Sequence, residues 1–521
     1  NSTNGISTSG NVVTLRAAGA VNQSQAINAS GLELLGTGPY TLTNSGNDIA
    51  TLAANTSGAV SYRDANVLSV GAVNSTIGIT TAGNNLTIQT GGALTFNNSV
   101  NTGAGNTTLN SAGAVTQASG DTITAAGLEL LGAGPFTLTD GGNDIGILAG
   151  STTGAVSYRD ANGFSIGTVN ATIGLSTGGN NLTLRAAAAV TQTQAISASG
   201  LELLGTGSYT LTNAGNDIST LAASTPNTVS YRDSTGFSIG TVNTTNGISI
   251  GANNLSLQAG GAVTQSQSIT ASGLELLGSG PFTLTAATNE ITTIAANTTG
   301  AVSYRDNTGL SVGTVNSTSG IATAGNNLTL QTGGTLTLNN LINVGVGNAT
   351  LNSAGAVTQG AGNTITASGL ELLGTGPFTL TDAANDIGTL AASTAGVISF
   401  RDTNGFAIGT VNATNGVTTG GNSLTLRAGG AVTQTQTITA SNLELLGSGP
   451  YTLANAGNDV TTLAANTSGA ISYRDANALL VGTVNATVGI TTGGNNLTLQ
   501  TGTTLTLNNK INSGVGDTTL N

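Results

Sequence analysis

Six glutamates occupy the same sequence setting, the segment LELLG. Each is followed further along the chain by an arginine in the segment SYRD, which reads SFRD in one copy. A carboxylate and a guanidinium can pair with each other or bind a ligand together. The glutamates are Glu33, Glu129, Glu202, Glu275, Glu371 and Glu444, and the arginines are Arg63, Arg159, Arg232, Arg305, Arg401 and Arg474.

Aspartates recur in two other settings. One directly follows each SYRD arginine, as Asp64 does, where an aspartate at a strand end accepts backbone hydrogen bonds in a turn. The other lies in GNDI turns, and the segment GGNDIG around Asp144 is similar to calcium-binding nonapeptide repeats. Those repeats need an acidic turn every nine residues or so, whereas the interval here is far longer. We therefore predict no metal site.

Catalytic chemistry has few residues to draw on, because the chain contains no His and no Cys. Acid–base and nucleophilic roles are left to carboxylates and to a single lysine, Lys510. Enzymes that cleave polysaccharides gather several acids in one cleft, but each acid type here occurs once per repeat. We predict no catalytic residue, no cofactor and no enzymatic activity, and a polysaccharide-degrading enzyme is the least favoured alternative.

Two recurring segments show that the chain consists of six sequence repeats. LELLG begins at Leu32, Leu128, Leu201, Leu274, Leu370 and Leu443, so only a long and a short interval occur, in the order long, short, short, long, short. Subtraction gives 128 − 32 = 96 for the long interval and 201 − 128 = 73 for the short one. The aromatic residue of SYRD or SFRD repeats at the same five intervals. Internal repetition at a fixed period is typical of solenoids and propellers, in which each repeat is one structural unit.

Short strands fill each repeat. Residues 181–252 contain nine segments of four to seven residues with alternating apolar and polar positions, separated by turn residues, and no helical periodicity. Nine strands fit either a β-sandwich of immunoglobulin type or three coils of a β-solenoid. The long interval exceeds the short one by 96 − 73 = 23, and the insert carries three further strand segments. A solenoid accepts such an insert as one more rung, whereas a sandwich would have to open its closed core.

The predicted fold is therefore an all-β, single-stranded, right-handed parallel β-helix over residues 1–521, without a separate globular domain. It has about 22 rungs of roughly 24 residues, each with three short strands, so that repeats contribute three or four rungs. Both ends of the sequence fall in the middle of a repeat. At ~4.8 Å per rung the expected length is roughly 105 Å.

This register predicts the contacts of the repeated glutamates. If the leucines of LELLG face the core, alternation directs the glutamate outward. SYRD follows about one rung later, so we predict lateral pairs between the six glutamates and the six arginines, each contributing about 0–1 kcal/mol at the surface. The alternative is a repeated ligand site.

Composition limits the possible partners. The formal net charge is −12, which argues against a nucleic-acid partner because such binding needs a basic surface. The sequence has no run of about 18 apolar residues, so no membrane span is predicted. Only 6% of the residues are charged, and Asn, Thr, Ser and Gln supply a neutral hydrogen-bonding surface instead.

The Gly-, Asn- and Thr-rich segments, such as GNNLTLQTGGTLTLNN from Gly325 and SAGAVTQ from Ser111, resemble the passenger regions of filamentous haemagglutinin-like exoproteins and large autotransporter adhesins of Gram-negative bacteria. The resemblance covers essentially the whole chain. It implies a right-handed parallel β-helix that is exported unfolded and stands off the cell surface.

The expected function is structural and non-enzymatic: an extracellular β-solenoid, associated with the surface of a Gram-negative bacterium, that forms the shaft of a fibre or adhesin. The alternative is a self-assembling filament or sheath subunit, in which chains associate end to end or laterally. A less favoured alternative is an adhesive surface that binds a glycan of a host or of the environment.

Overall fold

The computed structural model of the chain describes residues 5–521, and every regular element in that range is a β-strand. The strands are two to ten residues long and alternate between buried and exposed side chains. No helix of the described range is long and apolar enough to cross a membrane. The described residues divide into two compact units, 5–261 and 262–521, each with three LELLG segments.

Each unit is a parallel β-solenoid. In the first unit the LELLG strand Ile27–Gly36 pairs in parallel with Val12–Ala17 on one side and with Asp48–Thr56 on the other. The short strand Tyr40–Leu42 pairs in the same way with Val60–Asp64. The backbone ladder therefore joins each of these rungs to the rungs next to it.

The separation in sequence number between laterally paired residues gives the rung length. It is 69 − 51 = 18 for the pair Thr51 and Ser69, and 86 − 60 = 26 for the pair Val60 and Leu86. The chain makes about 25 turns of ~21 residues. The predicted all-β parallel solenoid is confirmed, and the predicted rungs of roughly 24 residues are close to those observed.

Successive repeats exchange columns, where a column is a set of strands paired one above another. In the first unit one column runs from the FTL strand of the second repeat to the LELLG strand of the third, through Phe136, Val156, Leu182 and Leu201. This column advances three lateral steps.

The companion column makes the reverse exchange between the same two repeats, from an LELLG strand to a YTL strand. It starts at the second LELLG strand and passes through Leu128, Leu148, Ile166 and Gln192. One further step, between Val190 and Tyr209, ends it on the YTL strand of the third repeat. With three steps on one column and four on the other, a short repeat advances three and a half rungs, so neighbouring LELLG strands lie on different columns.

The second unit has the same exchange. The column that begins at the FTL strand of its second repeat reaches its third LELLG strand through Phe378, Ile398, Leu424 and Leu443.

The additional residues of the long repeat form one more rung. Leu86–Thr90 pairs in register with the next strand along the chain, Asn106–Ser111, so that Thr90 lies opposite Ser111. Leu94–Phe96 pairs in the same way with Val115–Gln117. In the short repeat the strand Leu182–Ala186 pairs directly with the LELLG strand. The interpretation of the insert as a rung is correct.

The core consists of stacked Leu, Ile, Val and Ala side chains from alternate strand positions. Both leucines that flank Glu33, Leu32 and Leu34, are fully buried. Buried aromatic rings complete the core, as in the edge-to-face pair of Tyr158 and Phe164 at 5.3 Å.

The strands fall into classes by their place in the repeat. The LELLG strands are Ile27–Gly36, Ile123–Gly132, Ile196–Gly205, Ile269–Gly278, Ile365–Gly374 and Ile438–Gly447. The strands that follow them by one rung are Asp48–Thr56, Asp144–Thr152, Asp217–Ser224, Glu290–Thr298, Asp386–Thr394 and Asp459–Thr467. The SYRD strands are Val60–Asp64, Val156–Asp160, Val229–Asp233, Val302–Asp306, Ile398–Asp402 and Ile471–Asp475. The strands of the NLTL type are Val12–Ala17, Leu86–Thr90, Asn106–Ser111, Leu182–Ala186, Asn254–Ala259, Leu328–Thr332, Asn348–Ser353, Ser423–Ala428, Leu497–Thr501 and Thr518–Leu520.

Shorter strands complete the rungs. Those after LELLG are Tyr40–Leu42, Phe136–Leu138, Tyr209–Leu211, Phe282–Leu284, Phe378–Leu380 and Tyr451–Leu453. Those after SYRD are Leu68–Val70, Ser165–Ile166, Ser238–Ile239, Leu310–Val312, Ala407–Ile408 and Leu479–Val481. Those after the NLTL type are Val21–Asn22, Leu94–Phe96, Val115–Gln117, Thr191–Gln192, Thr264–Gln265, Leu336–Leu338, Val357–Gln359, Thr433–Gln434 and Leu505–Leu507. The remaining two-residue strands are Ile6–Ser7, Ile79–Thr80, Val100–Asn101, Leu175–Ser176, Ile248–Ser249, Ile321–Ala322, Ile342–Asn343, Val417–Thr418, Ile490–Thr491 and Ile511–Asn512.

Deleting one whole rung tests this register. Removal of residues 91–111 joins Thr90 to Ala112 and lets Leu86–Thr90 pair with the LELLG strand, as its counterpart in the short repeat does. We expect this variant to keep a strand-type circular dichroism spectrum and a cooperative thermal transition. Removal of only residues 91–101, about half a rung, leaves core side chains out of phase with their neighbours. That variant should aggregate or lose its transition, and equal behaviour of the two deletions would contradict the register.

Candidate functional site

The repeated glutamates lie beneath a β-hairpin that each repeat projects from its third rung. In the first repeat the strands Ala72–Val73 and Thr76–Ile77 pair antiparallel, and Asn74 begins the two-residue loop. Asn74 has a φ of 52°, which suits the primed turns of short hairpins and which Asn tolerates better than most residues. We call this element the clasp hairpin. Its other copies are Thr168–Val169 with Thr172–Ile173, Thr241–Val242 with Thr245–Asn246, Thr314–Val315 with Thr318–Ser319, Thr410–Val411 with Thr414–Asn415, and Thr483–Val484 with Thr487–Val488.

The clasp hairpin donates hydrogen bonds to the glutamate carboxylate. Asn74 Nδ2 donates to Glu33 Oε2 at 2.8 Å, and Thr76 Oγ1 donates to Oε1 at 2.7 Å. A third donor, Thr14 Oγ1 at 2.7 Å from Oε2, comes from the adjacent rung. These bonds hold the pKa of Glu33 below its ordinary value, with Thr76 as the largest cause, then Thr14, Asn74 and the charge of Arg16. The carboxylate therefore stays ionised at neutral pH.

The same arrangement recurs in every repeat. The hairpin Asn and Thr lie 41 and 43 residues after the glutamate, at donor–acceptor distances of 2.6–2.8 Å. A threonine of the preceding rung supplies the third bond in five repeats, through Thr14, Thr108, Thr183, Thr350 and Thr425. All six glutamates are only 3–5% exposed.

The predicted exposure and pairing of the glutamates are corrected by this geometry. Glu33 does point away from the leucines, but the clasp hairpin covers it. Its lateral neighbours are Thr14 and Ala53, whereas Arg63 lies in register with Gln89 on another strand. The SYRD strand follows the strand of Ala53 within the same rung, so SYRD pairs with Tyr40–Leu42 and not with LELLG. The prediction assumed rungs of uniform length, and that assumption was wrong.

The correction applies to the other repeats. The register pairs the arginines with residues of the next rung in the partners Arg159 with Arg185, Arg232 with Gln258, Arg305 with Gln331, Arg401 with Arg427 and Arg474 with Gln500. The glutamates lie beside alanines of the following rung, in the partners Glu129 with Ala149, Glu202 with Ala222, Glu275 with Ala295, Glu371 with Ala391 and Glu444 with Ala464.

A glycine makes room for the clasp hairpin. Gly31 precedes LELLG, and a Cβ placed there would lie 3.1 Å from the buried Val73 side chain of the hairpin. The third repeat is tighter still, because a Cβ on Gly200 would lie 2.9 Å from Val242. The sixth repeat has Asn442 at this position, and its side-chain amide donates to Ser423.

A second buried cluster closes each SYRD corner. Asp64 accepts hydrogen bonds from the Tyr62 hydroxyl at 2.9 Å and from the backbone N–H groups of Ile49 and Asn66 at 3.0 and 2.9 Å. Burial raises the pKa of Asp64, and it does the same for Asp160 and Asp402. The prediction that these aspartates accept backbone hydrogen bonds is confirmed.

The GNDI turn places its asparagine, rather than its aspartate, in the interior. Asn47 is fully buried, accepts from Ile27 N at 2.9 Å and donates to the carbonyls of Leu42 and Arg63 at 3.1 and 3.0 Å. It thus links backbone groups of successive rungs. Asp48 is exposed. The described residues contain no group of three or more His, Cys, Asp or Glu side chains that could hold a metal ion.

These contacts define what the site can do. The carboxylate of each LELLG glutamate accepts its hydrogen bonds from side chains of the same chain, so it acts as an internal acceptor that fastens a hairpin across two rungs. Sequence reasoning missed the hairpin residues, although the segment VN-X-T-X-G was available at a fixed distance after each LELLG. In a chain this rich in Asn and Thr, composition alone also produces Asn-X-Thr triplets, so they do not stand out.

Comparison with known proteins identifies repeats and no activity. A family described as repeats of unknown function (DUF5649) matches residues 83–150, 153–225 and 325–394. The chain is thus a repeat-rich protein with repeats similar to that family. No curated protein and no solved structure matches the chain significantly.

Replacing one glutamate tests the clasp. In Glu202→Gln an amide N–H₂ group replaces one carboxylate oxygen and so faces the donor of either Asn243 or Thr245, and the remaining bonds lose their charge. We therefore expect the hairpin to open more readily, by about 1–3 kcal/mol. Amide hydrogen exchange in residues 238–250 should accelerate about 5- to 150-fold. The control is Glu290→Gln, which makes the same change at an exposed strand position and should leave exchange in its own segment unaltered. Equal effects of the two substitutions would contradict the clasp.

Proposed function

We propose that the chain is a structural, non-enzymatic β-solenoid that works outside the cell as the shaft of a bacterial surface fibre or adhesin. The observation that carries the proposal is that the recurring acidic side chains accept hydrogen bonds from other rungs of the same chain. Six LELLG glutamates bind clasp hairpins and six SYRD aspartates close corners, so the residue types best suited to catalysis are committed to holding rungs together.

The physical requirements of a shaft support this proposal. A shaft must keep each rung in place although each rung touches only its neighbours. The clasp hairpin extends that contact, because Asn74 and Thr76 of one rung bind Glu33 two rungs earlier while Thr14 binds it from the other side. Each repeat therefore has a fastening that the strand ladder alone lacks.

The resemblance of the chain's segments supports a location outside the cell, and the composition is compatible with it. The chain has no cysteine and a largely uncharged surface rich in Asn and Thr, and its segments resemble bacterial exoprotein passengers. Stability in such a solenoid comes from stacked aliphatic residues and main-chain hydrogen bonds, neither of which needs an oxidising or reducing compartment.

A filament or sheath subunit is the second candidate. Two clasp hairpins of the first unit carry β-branched side chains on their outer side, with Ile77 71% and Ile173 70% exposed. The two hairpins lie over different columns, so a lateral contact through them could be repeated on more than one side. Such contacts would join chains into fibres.

Negative-stain electron microscopy of the purified chain distinguishes the candidates. A shaft predicts discrete unbranched rods of roughly 120 Å, because about 25 turns stack at ~4.8 Å each. Continuous fibres that shorten in Ile77→Asn/Ile173→Asn would support the filament instead, and Asn is the residue that two other clasp hairpins carry at this position. Globular particles would contradict both.

A further inference from the structure

Two pairs of arginines stand side by side on neighbouring rungs. Arg159 and Arg185 are in register on parallel strands of the first unit, and Arg401 and Arg427 repeat the arrangement in the second. Paired strands are about 4.8 Å apart, so like charges directly opposite each other are unfavourable. We call each pair a twin-arginine site.

The fold does not require this juxtaposition. In the other repeats the residue opposite the SYRD arginine is a glutamine, as with Arg232 and Gln258 or Arg305 and Gln331. The strands pair in the same register with either residue. The twin-arginine sites therefore place a second positive charge where the solenoid accepts a neutral side chain.

No salt bridge holds either arginine of the first pair within residues 5–521. Asp140 is close enough for the charge of Arg159 to help lower the pKa of its carboxyl group. The larger causes of that lowered pKa are the backbone N–H groups of Gly142 and Gly120, which donate to the carboxylate at 2.8 and 2.5 Å. The carboxylate of Glu202 is committed to its clasp.

The surroundings of the pair form a polar groove. A recess of about 220 Å³ between Gly141, Gly205 and Thr206 is lined by both guanidinium-bearing side chains. The second pair lies in a recess of the same volume between Ala383, Gly447 and Ser448. A similar recess lies beside SYRD arginines that face a glutamine, with about 350 Å³ at Arg63 and about 270 Å³ at Arg305. The recess therefore belongs to the fold, and the second positive charge is what distinguishes the twin-arginine sites.

A wider groove of about 600 Å³ adjoins the first pair. It crosses the outer face of four stacked strands, and neutral hydrogen-bonding side chains line it, among them Thr137, Thr139, Ser157 and Asn181. These groups match sugar hydroxyls. Thr183 also lines the groove, but its hydroxyl donates to Glu202 in the clasp. The groove offers no exposed aromatic ring on which a nucleic-acid base could stack, because Phe136 and Tyr158 are buried.

We propose that the twin-arginine sites bind the oxyanion groups of an acidic polysaccharide. Two guanidinium groups one strand spacing apart can both donate to a single carboxylate or sulfate, and charge-assisted bonds of this kind are the strongest hydrogen bonds that side chains make. The neighbouring Thr, Ser and Asn side chains bind the hydroxyls of the flanking sugars. This binding goes beyond the shaft proposal and stands independently of it.

Binding of the full chain to immobilised polysaccharides tests the inference at near-physiological salt. Polygalacturonate presents carboxylates and dextran sulfate presents sulfates, while neutral dextran and polyglutamate are comparison ligands. The test variant is Arg185→Gln/Arg427→Gln, which restores the glutamine found in the other repeats. The control is Arg232→Gln/Arg305→Gln, which removes the same charge from two arginines opposite glutamines.

We expect at least one of the two acidic polysaccharides to bind, and the one that binds better identifies the oxyanion. The test variant should raise Kd at least tenfold and the control less than threefold. Equal losses in the two variants, equal binding of polyglutamate, or no binding of either acidic polysaccharide would overturn the proposal. Circular dichroism of both variants checks that the fold is intact.

Discussion

A buried carboxylate cannot remain charged without donors, and this requirement organises each repeat around its LELLG glutamate. Burial of an unpaired carboxylate costs several kcal/mol, a large share of the net stability of a domain, and otherwise drives the group to its neutral form. Glu33 meets the requirement with hydroxyl and amide donors from two other rungs. The clasp hairpin and the threonine of the neighbouring rung together cover and satisfy this one charge.

The clasp also explains why the rungs differ in length. A strand that pairs simply with the next rung places Thr51 opposite Ser69, a separation in sequence number of 69 − 51 = 18. The path that includes the hairpin places Ala54 opposite Ile79, a separation of 79 − 54 = 25. The hairpin is thus inserted within one strand of the rung without disturbing the ladder on either side. Within each unit, successive LELLG strands lie on different columns, so the clasps of neighbouring repeats fasten the two columns alternately.

The sequence was sufficient to predict the all-β solenoid, the extra rung and the inward leucines. These properties depend on the alternation of apolar and polar residues within each strand and on the difference between the two repeat lengths. Both can be read directly from the sequence. The partner of Glu33 was not predictable in the same way, because it depends on the exact number of residues in each rung. The prediction divided the short repeat into three rungs, whereas it spans three and a half. Burial of Asn47 in place of Asp48 depends on a corner that the turn residues alone do not specify. The handedness of the coil stays a prediction.

Disulfide trapping of the clasp hairpin over the LELLG strand tests the central claim most directly, because the chain has no cysteine of its own. A Cβ at Gly200 would lie against Val242, so Gly200→Cys/Val242→Cys brings two thiols within bonding reach of each other. We expect this variant to form an intramolecular disulfide in the folded state. The pair Gly200→Cys/Ser230→Cys, which a contact between LELLG and SYRD would favour, should stay reduced because Ser230 lies opposite Thr210. Bond formation in the second pair and not in the first would contradict the clasp.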